Sequence, residues 1–591
     1  MAVQIDYSRD ALFDDLGLKR LRESYMREDE ASPQDRFAFV STAFSSNPDH
    51  AQRLYEYASK HWLSYSTPIL SFGRTKKGLP ISCFLNWIDD SAEGLVDTLS
   101  ETNWLSMLGG GVGVGFGIRS ADDRSVGILP HLKIYDASCL AYKQGSTRRG
   151  SYAAYLSIDH PDIEMFLEIR KPTGDPNIRA QNLHHGITIP DSFMQIIERC
   201  MLDPNADDTW ELKDPHTREV RKTVSAKTLW QKIIEIRMHT GEPYLQFIDT
   251  CNNKLPQWLK DKGLSVRQSN LCSEIILPTD KDRTAVCCLS SVNLEYFDEW
   301  KGEALFLLDV AEMLDNVLQY FIDNAPSTVH RAVYSASRER SIGVGALGFH
   351  AYLQKNNIAI EDTEAVITNR VMFKHIRKRL NEANIRLGKE RGEAPDATGT
   401  GFRFSHLIAI APNASSSIIM GNTSPSIEPF RANAYRQDTL SGAGLNKNRF
   451  LDAILRSKCE ELNLDITEVW STIMQNDGSV QELDFLDEHT KNVFKTAMEL
   501  DQRILIELAA DRQEYIDQGQ SLNLFFLPTA DVKYLHAAHF LAWKKGLKTL
   551  YYCRSEKIKK ADKVSKLIKR QIIEEIDIRA LAEETCLACE G

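Results

Sequence analysis

Residues 270–291 read NLCSEIILPTDKDRTAVCCLSS. The stretch ends in AVCCLSS (285–291), a short apolar run of the length of a buried strand. Runs of the same kind recur along the chain: PILSFG (68–73), SCFLNWI (82–88), YAAYLSI (152–158), HGITIP (185–190), LIAIAP (407–412) and TLYYC (549–553). Helical patterns lie between them. One begins at Ser225, places Leu229, Trp230, Ile233 and Ile234 on one face, and meets a stop at Gly241. Strands alternating with helices predict an α/β architecture. Residues 1–65, with interleaved polar and apolar positions and few glycines, predict a helical lead-in.

The bulk composition narrows the function classes. The 591 residues are 42% hydrophobic and 26% charged, with a net charge of −11. That balance argues against binding to a nucleic-acid backbone. No run reaches the roughly 18 uncharged apolar residues of a membrane span. Acidic residues stand where a signal peptide needs an apolar segment, so a cytoplasmic location is expected, in the host cytoplasm if the gene is a phage's. Eleven cysteines in such a chain predict no disulfide scaffold. None has a second Cys or His pair at zinc-ligand spacing, so no metal site is expected and redox work or buried thiols remain.

Several stretches carry chemistry, each with a plainer alternative. The glycine run GGGVGVGFGIRS (109–120) follows a helical pattern and lacks the Gly-Lys-Ser/Thr of a phosphate loop, so a close-packed helix-to-strand turn is favoured over a cofactor cradle. His536 and His539 have no carboxylate at ligand spacing and read as packing or capping residues. In PNASSSIIMGNTSP (412–425), Asn413 and the serines suit a helix N-cap, and equally a phosphate site. Tyr551 and Tyr552, if in a strand, would face opposite sides at a sheet edge. After Tyr552 the chain turns charge-dense, as a solvated helix or mobile tail does, and it carries Cys586 and Cys589 as a C-x-x-C at its end. In NLCSEI, Glu274 beside Cys272 raises the thiol pKa and makes a poor thiolate nucleophile. The pair makes sense if the sulfur carries a hydrogen atom and the carboxylate is a separate base. A buried cysteine beside a surface glutamate is the alternative.

Taken together, these motifs stand in the order of one family. From YSTPIL (65–70) to LKTLYYCR (547–554), and again at CLACEG (586–591), the sequence resembles the large, catalytic subunit of class I ribonucleotide reductases. Supporting stretches are QGSTRRGSYAAYLSIDHPDIEMFLEIRK (144–171), RSIGVGALGFHAYL (340–353) and SPSIEPF (424–430). The resemblance implies a ten-stranded α/β barrel of two five-stranded parallel halves over 66–555, with a central finger loop, and a tail over 556–591. Cys272 would become a thiyl radical and abstract the 3′ hydrogen of a ribonucleotide. Glu274 would take the 3′-hydroxyl proton, and Asn270 would bind the substrate. Cys83 and Cys287 would supply two electrons and close as a disulfide; Cys288 is the competing sulfur, and the register of CLSSVNL (288–294) with the family favours Cys287. Thr67, Ser82, Pro412, Asn413, Ala414, Ser415 and Ser416 match substrate contacts.

Tyr551 and Tyr552 imply a radical relay from a separate, metal-containing small (beta) subunit, with no metal or cofactor held tightly by this chain. Cys586 and Cys589 would pass electrons inward from thioredoxin or glutaredoxin. A homodimer is implied, with a deoxynucleoside triphosphate or ATP effector held by Asp90, Arg119 and Arg124, the loop 119–127 and the loop 171–182. Ribonucleoside diphosphates are the implied substrates. Only about 65 residues precede YSTPIL, so no N-terminal ATP-cone is expected. The alternatives are a cobalamin-dependent class II reductase, an inactive nucleotide-binding regulator, and a general thiol oxidoreductase.

Overall fold

The computed structural model describes residues 2–74, 78–142, 150–439 and 442–555. Cys586, Cys589 and their tail lie outside the described residues. No helix among the described residues is long and apolar enough to cross a membrane.

The lead-in is helical, and its boundaries follow from local chemistry. Helix Pro33–Ala43 starts at a capping box of Ser32 and Asp35 with proline at its first turn, and Asn47 caps Pro48–Ser59 through the His50 amide. The layer is pinned to helix Phe306–Asn324. There Asp309 accepts two hydrogen bonds from Arg53, at 2.7 and 2.8 Å, and one from the Tyr57 hydroxyl at 2.9 Å. His50 joins this cluster through the Asp309 carbonyl. These groups satisfy one another, as buried polar groups must.

The sheet begins with β1 (Leu63–Tyr65), followed by β2 (Cys83–Ile88), β3 (Gly111–Phe116), β4 (Tyr152–Ser157), β5 (His184–Ile189) and β6 (Tyr244–Phe247). Strands β2 to β6 pair in that order and all run parallel. They are buried on both faces, hence their nearly unbroken apolar sequence. The second half starts at β7 (Ala285–Asn293) and β8 (Ile342–Leu347), again parallel. It continues through parallel bridges from Val344 to Ile408 and from Ile410 to Gln520. Leu522 then accepts from the Tyr551 amide, and β9 (Leu524–Phe526) lies parallel to β11 (Cys553–Ser555). Between them in sequence, β10 (Thr549–Leu550) pairs with β6.

The two halves meet antiparallel at both junctions, β2 against β7 and β10 against β6. The ring of backbone pairing therefore closes as the expected barrel. The stave at 407–410 forms no regular strand; it is held by these bridges and by the Leu407 and Ile408 amides, which donate to the Asp517 carboxylate at 2.9 Å. Residues 268–279 thread the interior as an irregular loop, and every one of them is buried.

Three local expectations are corrected. PILSFG is not a strand: Thr67–Leu70 forms a short helix, because Pro68 sits in its first turn, where the missing N–H costs nothing. Asn413 does occupy the N-cap position of helix Ala414–Ile419, but it makes no cap bond. Its φ is 53°, and its amide instead donates to Ser291 Oγ on β7 at 2.9 Å and the Ala346 carbonyl on β8 at 3.1 Å. Tyr551 and Tyr552 lie in the gap between β10 and β11, so their rings meet at 4.3 Å with their planes tilted by 53° rather than facing opposite ways.

Candidate active site

The glycine run explains itself once the loop is in place. A Cβ on Gly113 would stand 2.1 Å from the Ser269 carbonyl oxygen, and one on Gly115 would stand 2.9 Å from the Gln268 side chain. β3 is thus bare so that the finger loop can lie against it. On the opposite side, Gly519 donates its N–H to the Glu274 carbonyl at 2.8 Å. Tyr155 from β4 donates to the Asn270 carbonyl at 2.7 Å, Ser521 to the Cys272 carbonyl at 2.5 Å, and Thr549 to the Ser273 carbonyl at 2.8 Å. Ser273 holds φ at 69°, strained for a residue with a side chain, and these bonds keep it there.

Held this way, Cys272 is fully buried and accepts a hydrogen bond from the Tyr551 hydroxyl at 3.3 Å. Tyr244 on β6 packs against Tyr551 at 4.8 Å and against Tyr552 at 5.1 Å between ring centroids. From outside the barrel Arg237, itself buried, donates to the Tyr551 carbonyl at 3.1 Å and to His539 at 3.0 Å. His539 and His536 are therefore packing residues, His536 taking the Trp230 indole N–H at 2.9 Å.

Cys83 and Cys287 stand directly opposite each other across the β2–β7 junction. Both belong to the barrel-interior cluster with Cys272, whereas Cys288, next along the strand, packs into the outer core. The alternation of side chains along a strand thus separates the two adjacent sulfurs. Cys83 is 3.7 Å from Glu274 Oε1 and accepts from the Asn270 amide at 3.5 Å, and Cys287 accepts from Gln518 at 3.4 Å. Burial pushes the Cys287 thiol up, away from thiolate. All nine described cysteines are free thiols.

Glu274 accepts from the Ser521 hydroxyl at 3.1 Å. Burial raises its carboxyl to about 7, against the lowering effect of hydrogen bonds from Asn270, Ser521 and Cys83. The site can therefore hold a neutral thiol beside a carboxyl group poised to exchange a proton near neutral pH.

The other expected site residues divide. Ser82 contacts Cys83 at 3.4 Å, and Thr67 meets the Tyr25 hydroxyl at 3.3 Å. Ser415 accepts from Arg20 at 2.9 Å, so the helical lead-in braces both segments. Asp90 and Arg119 come together at 2.5 Å with His216 at 3.1 Å from the same carboxylate, while Arg124 is exposed and its backbone N–H donates to Asp122. Sequence reading missed Tyr155, Tyr244, Gln518 and Ser521, whose partners lie in distant parts of the chain.

Comparison with known proteins places the chain in a family. Residues 11–78 match the family model described as ribonucleotide reductase, all-alpha domain, and residues 81–400 and 396–553 match the ribonucleotide reductase barrel domain. The chain belongs to the ribonucleotide reductase large-subunit family. More particularly, it is similar to the ribonucleoside-diphosphate reductase large subunit of Invertebrate iridescent virus 3, at 53% identity over 95% of this chain and 97% of that one. The protein of that name from vaccinia virus is 31% identical over 93% of this chain and 79% of its own. Among solved structures, the class Id ribonucleotide reductase alpha subunit of Actinobacillus ureae superposes with a TM-score of 0.82 at 34% identity, covering 94% and 98% of the two chains. The activity is that of a ribonucleoside-diphosphate reductase, an oxidoreductase.

Proposed function

We propose that Cys272 is the radical carrier of this reductase, Tyr551 and Tyr552 its relay, Glu274 its base, and Cys83 with Cys287 its reductant. The observation that carries this reading is the file of contacts from Tyr552 through Tyr551 to the Cys272 sulfur, ending beside an opposed pair of thiols. A hydrogen atom passes from Cys272 to the oxidised Tyr551. The resulting thiyl radical takes the 3′ hydrogen of the ribonucleotide while Glu274 receives the 3′-hydroxyl proton. The 2′-hydroxyl leaves as water with one proton from the thiol pair. Cys83 and Cys287 supply two electrons and the second proton, which goes to C2′, as they close as a disulfide. Glu274 returns its proton to the 3′-oxygen, and Cys272 returns its hydrogen to C3′, so that the radical is back on sulfur and passes to Tyr551. A dry, fully buried site suits such radicals, because water and outside reductants are kept away.

The oxidant would come from a small subunit whose metal centre generates it. Tyr552 is the outer member of the pair. A groove of about 510 Å³, lined by Trp230, Ile234, Met238, Val532 and Leu535, adjoins β11 just beyond it, where Ser555 donates to the Met238 carbonyl at 2.7 Å. An apolar segment of the small subunit is its proposed occupant. Helices Ala92–Met107 and Ile128–Ala141 leave Val96, Trp104, Ile134 and Leu140 exposed, which supports a homodimer through that face. Asp90 and Arg119 are proposed to bind the nucleoside triphosphate effector there. Thr67, Ser82 and the segment Pro412, Asn413, Ala414, Ser415 and Ser416 are proposed to hold the substrate. Cys586 and Cys589, with thioredoxin or glutaredoxin, are proposed to reopen the disulfide.

The test is deoxynucleotide formation from ribonucleoside diphosphates with the cognate small subunit. Cys272→Ser is expected to abolish turnover while substrate still binds. Full turnover in that variant would refute the assignment.

A further inference from the structure

Tyr552 has one polar neighbour that the relay above does not use. Its phenolic oxygen is 3.4 Å from Nδ1 of His184, on β5, and the two rings meet edge to face at 6.3 Å. The same Nδ1 is 2.6 Å from Glu242 Oε1. The second oxygen of Glu242 takes the His185 backbone N–H and the His185 ring, each at 3.0 Å, and lies 3.3 Å from Arg170 Nε. Glu242 is buried, and Arg170 and His184 hold its carboxyl well below the usual carboxylate range against the effect of burial. An ionised carboxylate only accepts, so the hydrogen between it and His184 resides on Nδ1. That N–H has two oxygens within reach, the carboxylate at the shorter distance and the phenol at the longer.

Aromatic and cationic groups also surround the Tyr552 ring. Tyr551 packs against it at a tilt, Tyr244 meets it edge to face, and the Arg554 guanidinium lies 4.1 Å from its ring centre. A cation over the π face makes loss of a bare electron from the ring harder. A neutral hydrogen atom leaves at no such penalty, and its transfer depends on where the phenolic oxygen is held. We propose that His184, itself held by Glu242, is a positioning residue that donates a hydrogen bond to the phenolic oxygen of Tyr552 and fixes it for radical passage, a role that rests on the relay proposed above. The histidine keeps its proton. In the step it serves, Tyr551 gives a hydrogen atom to the Tyr552 phenoxyl radical, so that Tyr552 regains its O–H as Tyr551 loses its own.

The experiment uses the full chain with its small subunit, and compares wild type with His184→Leu and His184→Gln. Turnover is read as kcat and KM. The hydrogen bond is read separately, by ¹⁹F NMR titration of a 3-fluorotyrosine placed at position 552. With the donor lost, kcat is expected to fall roughly tenfold at unchanged KM, and the phenol midpoint to rise by roughly one pH unit. His184→Gln, whose amide can donate, is expected to restore most of both. The proposal is overturned if His184→Leu leaves either kcat or the midpoint at its wild-type value. It is likewise overturned if the glutamine variant rescues neither. Retained turnover in Tyr552→Phe would instead overturn the relay itself, while the titration would still report whether His184 bonds the phenol.

Discussion

Glu274 differs from most carboxylates of this protein in what governs it. Its oxygens meet a hydroxyl, a thiol and an amide but no cation, so burial dominates and carries it up to about 7. As the proposed base it works ionised. Turnover is therefore expected to rise with pH along an acid limb centred near 7, and Glu274→Gln to lose both the limb and at least a hundredfold of kcat. A pH–rate profile under saturating substrate checks this. The adjacent sulfurs offer a sharper contrast. Cys287→Ser is expected to stop multiple turnover, since the disulfide cannot form. Cys288→Ser, which faces the outer core, should retain turnover and cost only stability, about 1–3 kcal/mol for a buried hydroxyl, as read by urea denaturation. In the sequence only the family register favoured Cys287, because adjacency alone says nothing of which face of the strand meets the interior.

Among the elements, the finger loop depends most on its neighbours. It has no regular pairing of its own and is held by Tyr155, Ser521, Thr549 and the Gly519 amide. Gly113→Ala puts a methyl group where the Ser269 carbonyl lies, so the variant is expected to lose turnover and about 1–3 kcal/mol of stability together. Matched activity and denaturation curves would show it, and a wild-type activity in that variant would contradict the close approach. The elements themselves were legible to different degrees. SCFLNWI, YAAYLSI, HGITIP and AVCCLSS announce their strands because they are buried on both faces and so continuously apolar. PILSFG has the same composition and forms a helix, because one proline in a first turn outweighs it. The glycines of β3 were visible as a pattern, but their reason, a loop more than 150 residues away in sequence, was not. His184 and Glu242 gave no signal beside Tyr552, from which His184 is 368 residues distant.

For the whole molecule, the order of motifs carried the family and the barrel, while the site's geometry needed the closed ring to bring residues 83, 272, 287 and 551 into one volume. The exposed apolar side chains on helices Ala92–Met107 and Ile128–Ala141 belong to this scale too. Trp104→Glu together with Ile134→Glu is expected to convert a dimer into monomers in sedimentation velocity, and to weaken the response to effector nucleotides while leaving basal turnover within about twofold. A dimer that survives both changes would place the interface elsewhere.

The two antiparallel junctions of the barrel have a further meaning under these roles. The opposed thiols stand at one junction, β2 against β7, and the adjacent tyrosines emerge directly after the other, β10 against β6. Under the proposed roles, single hydrogen atoms would pass along one wall and the electron pair would come from the other. A phenoxyl radical formed beside an open dithiol would be quenched by it, leaving a spent site and no product. By keeping the two kinds of traffic apart until they converge at the buried loop, the barrel acts as insulation as much as scaffold.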